Sequence, residues 1–300
     1  MGSFKSGFVA VAGRTNVGKS TLLNTMMEQK LSIVTSRPQT TRDIIRLIRT
    51  TDTSQMVFID APGFHKPRTK LNEYMDASAE STLKDADVIL FVVEEDEYIG
   101  PGDKRILEML SGSSVPVILA INKIDRFPIE NVLRTIDLYK DYPFINEIVP
   151  VSAKKGTNVD TLIGIIEKYL PEGEKYYPDD MVTDRNVRFY IGEIIREKLF
   201  EALAEEIPHG IAVSVEEVDE GETVTNISAM IYCDKKSHKA IVIGKNGEKL
   251  KRVGTFARRD IEKLLETKVN LKVWVKVRED WTDDPNEMKK FGYLAEEDES

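Results

Sequence analysis

Gly13-Arg14-Thr15-Asn16-Val17-Gly18-Lys19-Ser20 lies between a short apolar run, Phe8–Ala12, and a helical pattern, Lys19–Glu28. Its form, G-x-x-x-x-G-K-S between a strand and a helix, is that of a phosphate-binding loop. The glycines let backbone N–H groups curl around phosphates, and the helix N-terminus adds positive potential. Gly13, Asn16, Val17, Gly18 and Thr21 are expected to contact a nucleotide. Lys19 should reach its β- and γ-phosphates, and Ser20 should offer its hydroxyl to Mg²⁺.

Outward from this loop, short apolar runs alternate with amphipathic stretches. Strands are predicted at Phe8–Ala12, Ile44–Thr50, Met56–Asp60, Val88–Val93, Val117–Asn122 and Ile148–Val151. Helical patterns lie between them at Leu71–Leu83, Lys104–Leu110, Ile129–Tyr139 and Val159–Leu170. The rhythm predicts an α/β fold, a mostly parallel sheet flanked by helices. The second and third runs, joined by Thr51-Asp52-Thr53-Ser54, read as a hairpin that makes one edge strand antiparallel. A ligand of such a sheet sits beyond the carboxyl ends of the strands.

Three further elements fall at those ends. Asp60-Ala61-Pro62-Gly63 closes the third run, where Asp60 can hold the Mg²⁺ shell through water and the Gly63 N–H can bond a γ-phosphate. Asn122-Lys123-Ile124-Asp125 closes the fifth, and Asp125 can accept from guanine N1–H and the N2 amine, a donor pair adenine lacks. Ser152-Ala153-Lys154 closes the sixth and can wrap the guanine O6 with its backbone. The ordered set points to GTP and GDP. Thr40 and Thr41 sit in the loop Arg37–Asp43. A threonine there can join Mg²⁺ only when a γ-phosphate is present, which makes the loop a switch.

Three hundred residues make about two domains. At 41% hydrophobic and 31% charged residues the chain reads as globular, and its apolar runs are far shorter than a membrane span. One cysteine, Cys233, excludes an internal disulfide and fits a reducing cytoplasm. No signal-peptide pattern precedes the Gly13 loop, and Met1-Gly2-Ser3-Phe4-Lys5-Ser6 is read as a plain chain start, not a lipidation site. The net charge of −9 argues against nucleic acid until its distribution is considered. Asp234–Lys263 is a basic island, while acid gathers at Glu216-Glu217, Asp219-Glu220 and Glu296-Glu297-Asp298-Glu299.

Pro171–Asp180, with two prolines and a glycine, breaks the first pattern. The expected division is residues 1–172, a linker over 173–182, a second domain over 183–280 and an acidic tail over 281–300. The second domain reads α-β-β-α-α-β: Val187–Leu203, Ile211–Val218, Val224–Cys233, Lys239–Ile243, Leu250–Leu265 and Val269–Val277. Val242-Ile243-Gly244-Lys245-Asn246-Gly247 joins the two later helices. This I-G-x-x-G turn, the element order and the basic island together resemble a type II KH domain, an α+β RNA-binding fold. Ile243, Gly244, Lys245, Asn246, Gly247, Lys249 and Arg252 are its expected RNA contacts, with bases held between the turn and the second strand. Trp274 could form an exposed stacking platform, but packing of it and Trp281 under a helix or tail is the favoured reading. His65, His209 and His238 have no metal-ligand spacing and receive no catalytic role.

Residues 8 to about 170 resemble the translation-factor-related GTPases, and with the second half the whole chain resembles the Era family of ribosome-assembly GTPases. The resemblance implies GTP hydrolysis with Lys19, Thr41 and Gly63 as catalytic residues and Mg²⁺ held by Ser20, Thr41 and Asp60. Thr41 is preferred to Thr40 because Thr41-Arg42-Asp43 resembles the string of related enzymes. Phe64 stands where Ras-like enzymes carry a water-orienting glutamine. With Asn16 in the loop, that departure is similar to families that use K⁺. Ala61 replaces a threonine common in the family, at a position with no required side-chain role. The implied partners are the single-stranded 3′ end of small-subunit rRNA and the small ribosomal subunit, with no DNA. A monomer in the cytoplasm is expected, with peripheral association at the inner face of the cell membrane. The rival readings are a GTPase coupled to another RNA or membrane partner, and a binding module with a silent GTPase domain. The intact Lys19, Ser20, Thr41 and Asp60 argue against the second rival.

Overall fold

The computed structural model describes residues 3–34, 41–64, 69–203 and 210–293. The chain divides into two compact units: the first runs to Asp184, and the second comprises the chain from Arg185 together with residues 69–74, where the helix Lys70–Lys84 starts.

The first unit is built on six strands, β1 (Lys5–Ala12), β2 (Ile45–Thr50), β3 (Ser54–Asp60), β4 (Val88–Glu94), β5 (Val117–Asn122) and β6 (Ile145–Pro150). Their order is β2-β3-β1-β4-β5-β6, parallel throughout except for the β2–β3 hairpin. The central strands are nearly continuous apolar runs because helices cover both faces. On one face α2 (Lys70–Lys84), α3 (Pro101–Leu110) and α4 (Ile129–Tyr139) send Ala79, Ile106, Leu107 and Tyr139 against Phe91, Leu119 and Ile121. Helices α1 (Lys19–Met27) and α5 (Val159–Tyr169) pack together and bury Leu22, Leu23, Leu162 and Ile166. Strand β6 starts three residues before the predicted one. Its first residues carry a single apolar side chain, the half-buried Ile145, ahead of exposed Asn146 and half-buried Glu147, too little for a strand pattern. Asn146 instead caps a break in the ladder, accepting the Val117 N–H at 2.9 Å. Helix α3 likewise starts earlier than expected because Pro101, with no N–H to lose, suits a first helical position.

The tract read as a linker is laid along the first unit. Gly173 donates to the Phe4 carbonyl at 3.1 Å, and Phe8 meets the Tyr176 ring at 4.8 Å. Buried Gln55 receives the N–H groups of Tyr176 and Tyr177 at 2.7 and 3.0 Å and donates to the Tyr177 carbonyl at 2.8 Å. The Ile48 N–H then donates to the Val182 carbonyl at 2.9 Å, and Arg46 pairs with Asp184 at 3.0 Å. The exposed edge of β2 is covered in this way.

The second unit places α6 (Val187–Ala202), α7 (Lys236–Ile243) and α8 (Glu248–Leu265) against a sheet of β7 (Ile211–Glu220), β8 (Val224–Cys233) and β9 (Lys268–Val277), in the order β7-β8-β9. Its core joins Ile191, Ile195 and Leu199 to Ile227, Ile231, Ala257 and Ile261. Residues 281–293, assigned from the sequence to an acidic tail, are folded. A 3₁₀ turn at Trp281–Asp283 leads into α9 (Pro285–Lys290), which Asp284 caps through the N–H groups of Asn286 and Glu287. Trp281 is fully buried, stacks on Tyr293 at 5.7 Å and donates from Nε1 to the Gly210 carbonyl at 3.0 Å. Trp274 is 48% exposed, contrary to the favoured expectation that it packs under a helix or tail. Its strand alternates, and the helices take the other face.

Candidate nucleotide and nucleic-acid sites

The Gly13–Ser20 loop turns between β1 and α1 on left-handed or otherwise positive φ values at Gly13, Asn16 and Gly18. A Cβ on Gly13 would lie 2.5 Å from the Val92 carbonyl, and one on Gly18 would strike Asn122. Glycine is therefore required at both positions by space as well as by φ. Lys19 is 7% exposed and donates to the Gly13 and Arg14 carbonyls, each at 3.0 Å. Burial lowers its pKa to about 8, against the opposing pull of the Asp60 carboxylate. A Cβ on Gly63 would lie 2.8 Å from Lys19 Nζ, so the bare backbone keeps the ammonium accessible to phosphate.

Ser20 Oγ lies 3.1 Å from Thr41 Oγ1 and donates to Asp60 Oδ2 at 3.2 Å. Two hydroxyls and a buried carboxylate thus converge from the loop, the chain before β2 and the end of β3. An all-oxygen set of one charge and two neutral groups suits a hard ion that keeps several waters, as Mg²⁺ does. Thr40, with the rest of residues 35–40, lies outside the described residues, as do His65, His209 and Glu296–Glu299.

On the base side, Asp125 Oδ1 accepts the Ser152 hydroxyl at 2.6 Å. That bond comes first among the causes that hold the Asp125 carboxyl below the usual carboxylate range. Asp125 is therefore ionised at neutral pH, with acceptor capacity left for a base. Asn122 donates to the Val17 carbonyl at 2.9 Å and accepts the N–H groups of Lys123 and Ala153 at 2.8 and 3.0 Å. Lys123, in the left-handed region at φ 65°, donates to the Asn16 carbonyl and to Glu94, both at 2.6 Å. Thr25 donates to the Ala153 carbonyl at 2.8 Å, and Lys154 is exposed. All four predicted elements meet at one end of the sheet. Glu94, Thr25 and Arg14 were not foreseen. Arg14 pairs with buried Asp103 at 2.9 Å and so ties the loop to α3. Burial raises the Asp103 pKa to about 6 despite that partner. Nothing local in the sequence marks Asp103, since its partner is 89 positions away.

In the second unit, Gly244 and Gly247 have φ values of 73° and 74°, and Asn246 between them has 52°. A Cβ on Gly244 would come 2.7 Å from Lys249 Cβ, so this tight join of α7 to α8 needs glycine. Lys245, Asn246, Lys251 and Arg252 are exposed, whereas Ile243 packs against the core. The groove beside the turn, about 420 Å³, is lined by Gly247, Leu250, Gly254 and Arg258 and by Leu271 and Val273 of β9. The expectation of a groove on the second strand is thereby corrected. Strand β8 is the middle strand, hydrogen-bonded on both sides, and only β9 offers an edge beside α8. The helical spacing of Gly247, Leu250, Gly254 and Arg258 is the signal that could have marked this wall.

Residues 8–123 match the family described as 50S ribosome-binding GTPase, and residues 206–282 match the KH domain family. The chain is 52% identical over 291 residues to GTPase Era of Clostridium novyi, covering 97% of this chain and 99% of that protein. It is 52% identical over 292 residues to GTPase Era of Clostridium tetani, with coverage of 97% and 99%. Two solved structures superpose with a TM-score of 0.93 at 40% identity, covering 97% of this chain and 100% of theirs. One is Era in complex with MgGDPNP and nucleotides 1506–1542 of 16S ribosomal RNA; the other is a variant of Aquifex aeolicus Era bound to GDP and AlF₄⁻.

Proposed function

This chain belongs to the Era family of GTPases, and on that basis we propose that it is a GTP-hydrolysing switch that binds the 3′ end of small-subunit rRNA and assists small-subunit assembly. The observation that carries the reading is the joint presence of two built sites. One is the Ser152–Asp125 pair beside the phosphate loop, which suits guanine, and the other is the left-handed Gly244–Gly247 turn beside a groove.

Ser20, Thr41 and Asp60 would hold Mg²⁺, which when bound neutralises charge on the β- and γ-phosphates. Lys19 supplies a second positive charge to the same oxygens, and the backbone at Gly63 approaches without a side chain in the way. Thr41 lies just before β2, so its hydroxyl reports on the γ-phosphate end of the site. Phe64 is 5% exposed among apolar side chains and offers no amide to orient water. We therefore include a cation of K⁺ size beside Asn16 in the reading. It predicts faster turnover in KCl than in NaCl at equal ionic strength, and no difference between the salts in Asn16→Ala. The reading takes the chain as a cytoplasmic monomer. No helix among the described residues is long and apolar enough to cross a membrane, so contact with the membrane's inner face is included as peripheral.

The deciding experiment replaces exposed Lys245 and Asn246 with aspartates and measures binding of single-stranded RNA from the 16S rRNA 3′ segment. Affinity should fall at least a hundredfold, because one attraction becomes two repulsions in a largely electrostatic contact. GDP affinity should be unchanged. Parent-like RNA binding by the double variant would overturn the RNA half of the reading and leave the GTPase half standing.

A further inference from the structure

Helices α6, α7 and α8 cover one face of the sheet, and on the other face Phe291 packs on Tyr232 of β8 with ring centroids 4.6 Å apart. Beside that contact, on the same helix-free face, β9 presents Lys268, Asn270, Lys272, Trp274 and Lys276, all exposed. Trp274 lies opposite Met230 of β8, Lys272 opposite Ser228 and Lys276 opposite Tyr232. Asn270 receives further order from the cross-strand hydrogen bond of its Nδ2 to Asn226 Oδ1, at 3.0 Å.

Two accounts of this row differ in what they require of position 274. Lysines along an edge strand protect it from pairing with another chain, and Lys268, Lys272 and Lys276 could all be explained so. A large aromatic ring left half exposed between two of them works against that protection. Among the described residues no aromatic ring stacks on Trp274, and its indole is free to take a flat partner. Residues two apart on a strand are about 6.6 Å apart, so Lys272 and Lys276 stand on either side of the indole at matching distances. A π face with an ammonium before and after it fits one base of a single strand, with its flanking phosphates on the lysines. Met230 lies opposite the indole with Ser228 and Tyr232 on the diagonals, and the row continues to the polar pair Asn226 and Asn270, so the apolar area is one ring wide, which suits a single base better than a lipid interior.

We propose that Trp274, flanked by Lys272 and Lys276 on the helix-free face of the β7-β8-β9 sheet, is a second contact for single-stranded RNA, stacking one base outside the Gly-x-x-Gly groove. The groove is walled by Leu271 and Val273 of the same strand, so a chain leaving it crosses the β9 edge to reach the indole. The proposal rests on the groove being an RNA site. It adds a base to the footprint and explains an exposed aromatic that the groove does not use.

The test compares two RNAs from the 16S rRNA 3′ segment, one of about four nucleotides to fill the groove and one extended to about ten. They are measured against the full-length parent, Trp274→Ala and Trp274→Phe, each checked for parent-like thermal unfolding. Trp274→Ala should weaken the longer RNA by about tenfold, the size of one lost base stack, and leave the shorter one unchanged. Trp274→Phe should recover most of the loss, and the longer RNA should quench tryptophan emission in the parent but not in Trp274→Ala. Unchanged affinity for the longer RNA in Trp274→Ala, or equal losses for both RNAs, overturns the platform while leaving the groove. If Trp274→Ala instead weakens binding only to anionic phospholipid vesicles, the face is a membrane contact and the proposal is wrong. If the parent binds neither RNA, the groove reading falls and the platform falls with it.

Discussion

The Nδ2 amide of Asn122 donates to the Val17 carbonyl at 2.9 Å, joining the end of β5 to the phosphate loop across 105 positions of sequence. Its Oδ1 takes the Ala153 N–H at 3.0 Å, so a single buried side chain holds the phosphate and base halves of the pocket in register. Replacing it, Asn122→Ala, leaves the Val17 carbonyl and Ala153 N–H without this partner. Denaturant unfolding of the GTPase unit should show a loss of about 2–6 kcal/mol, at ~1–3 kcal/mol for each of the two stranded groups. GDP affinity should fall with it.

Guanine selectivity should follow Asp125. The substitution Asp125→Asn puts an amide donor where guanine offers N1–H and N2 donors, and suits xanthine instead. Nucleotide titrations should show tight xanthosine diphosphate binding and a GDP affinity reduced by at least a hundredfold. Retained GDP affinity would remove Asp125 from the base-reading role.

Lys19 sets a pH limit. Its free-site pKa is lowered to about 8 by burial, and a bound phosphate favours the charged ammonium. Nucleotide binding therefore takes up a proton once the free lysine is neutral. Affinity for GDP should be flat between about pH 6 and 7.5 and fall as pH rises beyond about 8, by up to tenfold per pH unit. Calorimetry in buffers of different ionisation heat should register proton uptake at pH 9 and none at pH 7.

Gln55 anchors the tract that leaves the first unit. It is fully buried and bonded to Tyr176 and Tyr177 through three hydrogen bonds, so Gln55→Ala should free that strap. Limited proteolysis should cut near Lys175 at least several times faster, with stability down by about 2–3 kcal/mol. Unaltered cleavage would mean that the strap is held from elsewhere.

Trp281 should behave as a core residue of the second unit. Truncation of a fully buried tryptophan costs about 3–5 kcal/mol, and Trp281→Ala also removes one of the two hydrogen bonds to the Gly210 carbonyl, which keeps the Asp234 N–H. Thermal unfolding of the second unit should shift sharply down. Trp274→Ala should leave it within about 1 kcal/mol of the parent.

The nucleotide loops were legible because each is a continuous piece of chain whose own backbone carries the requirement. Gly13 and Gly18 answer to positive φ and close approach, and Asp60, Asn122 and Ser152 each end an apolar strand run. The Gly244–Gly247 turn was readable for the same reason. Less was visible where an element lacked apolar contrast: β6 begins on half-covered residues, and the folded Trp281–Tyr293 segment was hidden beside an acidic stretch.

The identity of the fold, a GTPase domain followed by a KH domain, was therefore determined by sequence alone, through local patterns of a few residues each. Partnership was not. That Asp125 is held by Ser152, that Lys19 is buried enough to lose basicity, that the linker lies along Gln55 and that β9 walls the groove are outcomes of packing. Those contacts join residues tens of positions apart. Which of them meet is decided only when helices and strands bury their apolar faces and the remaining polar groups must find partners in the space left.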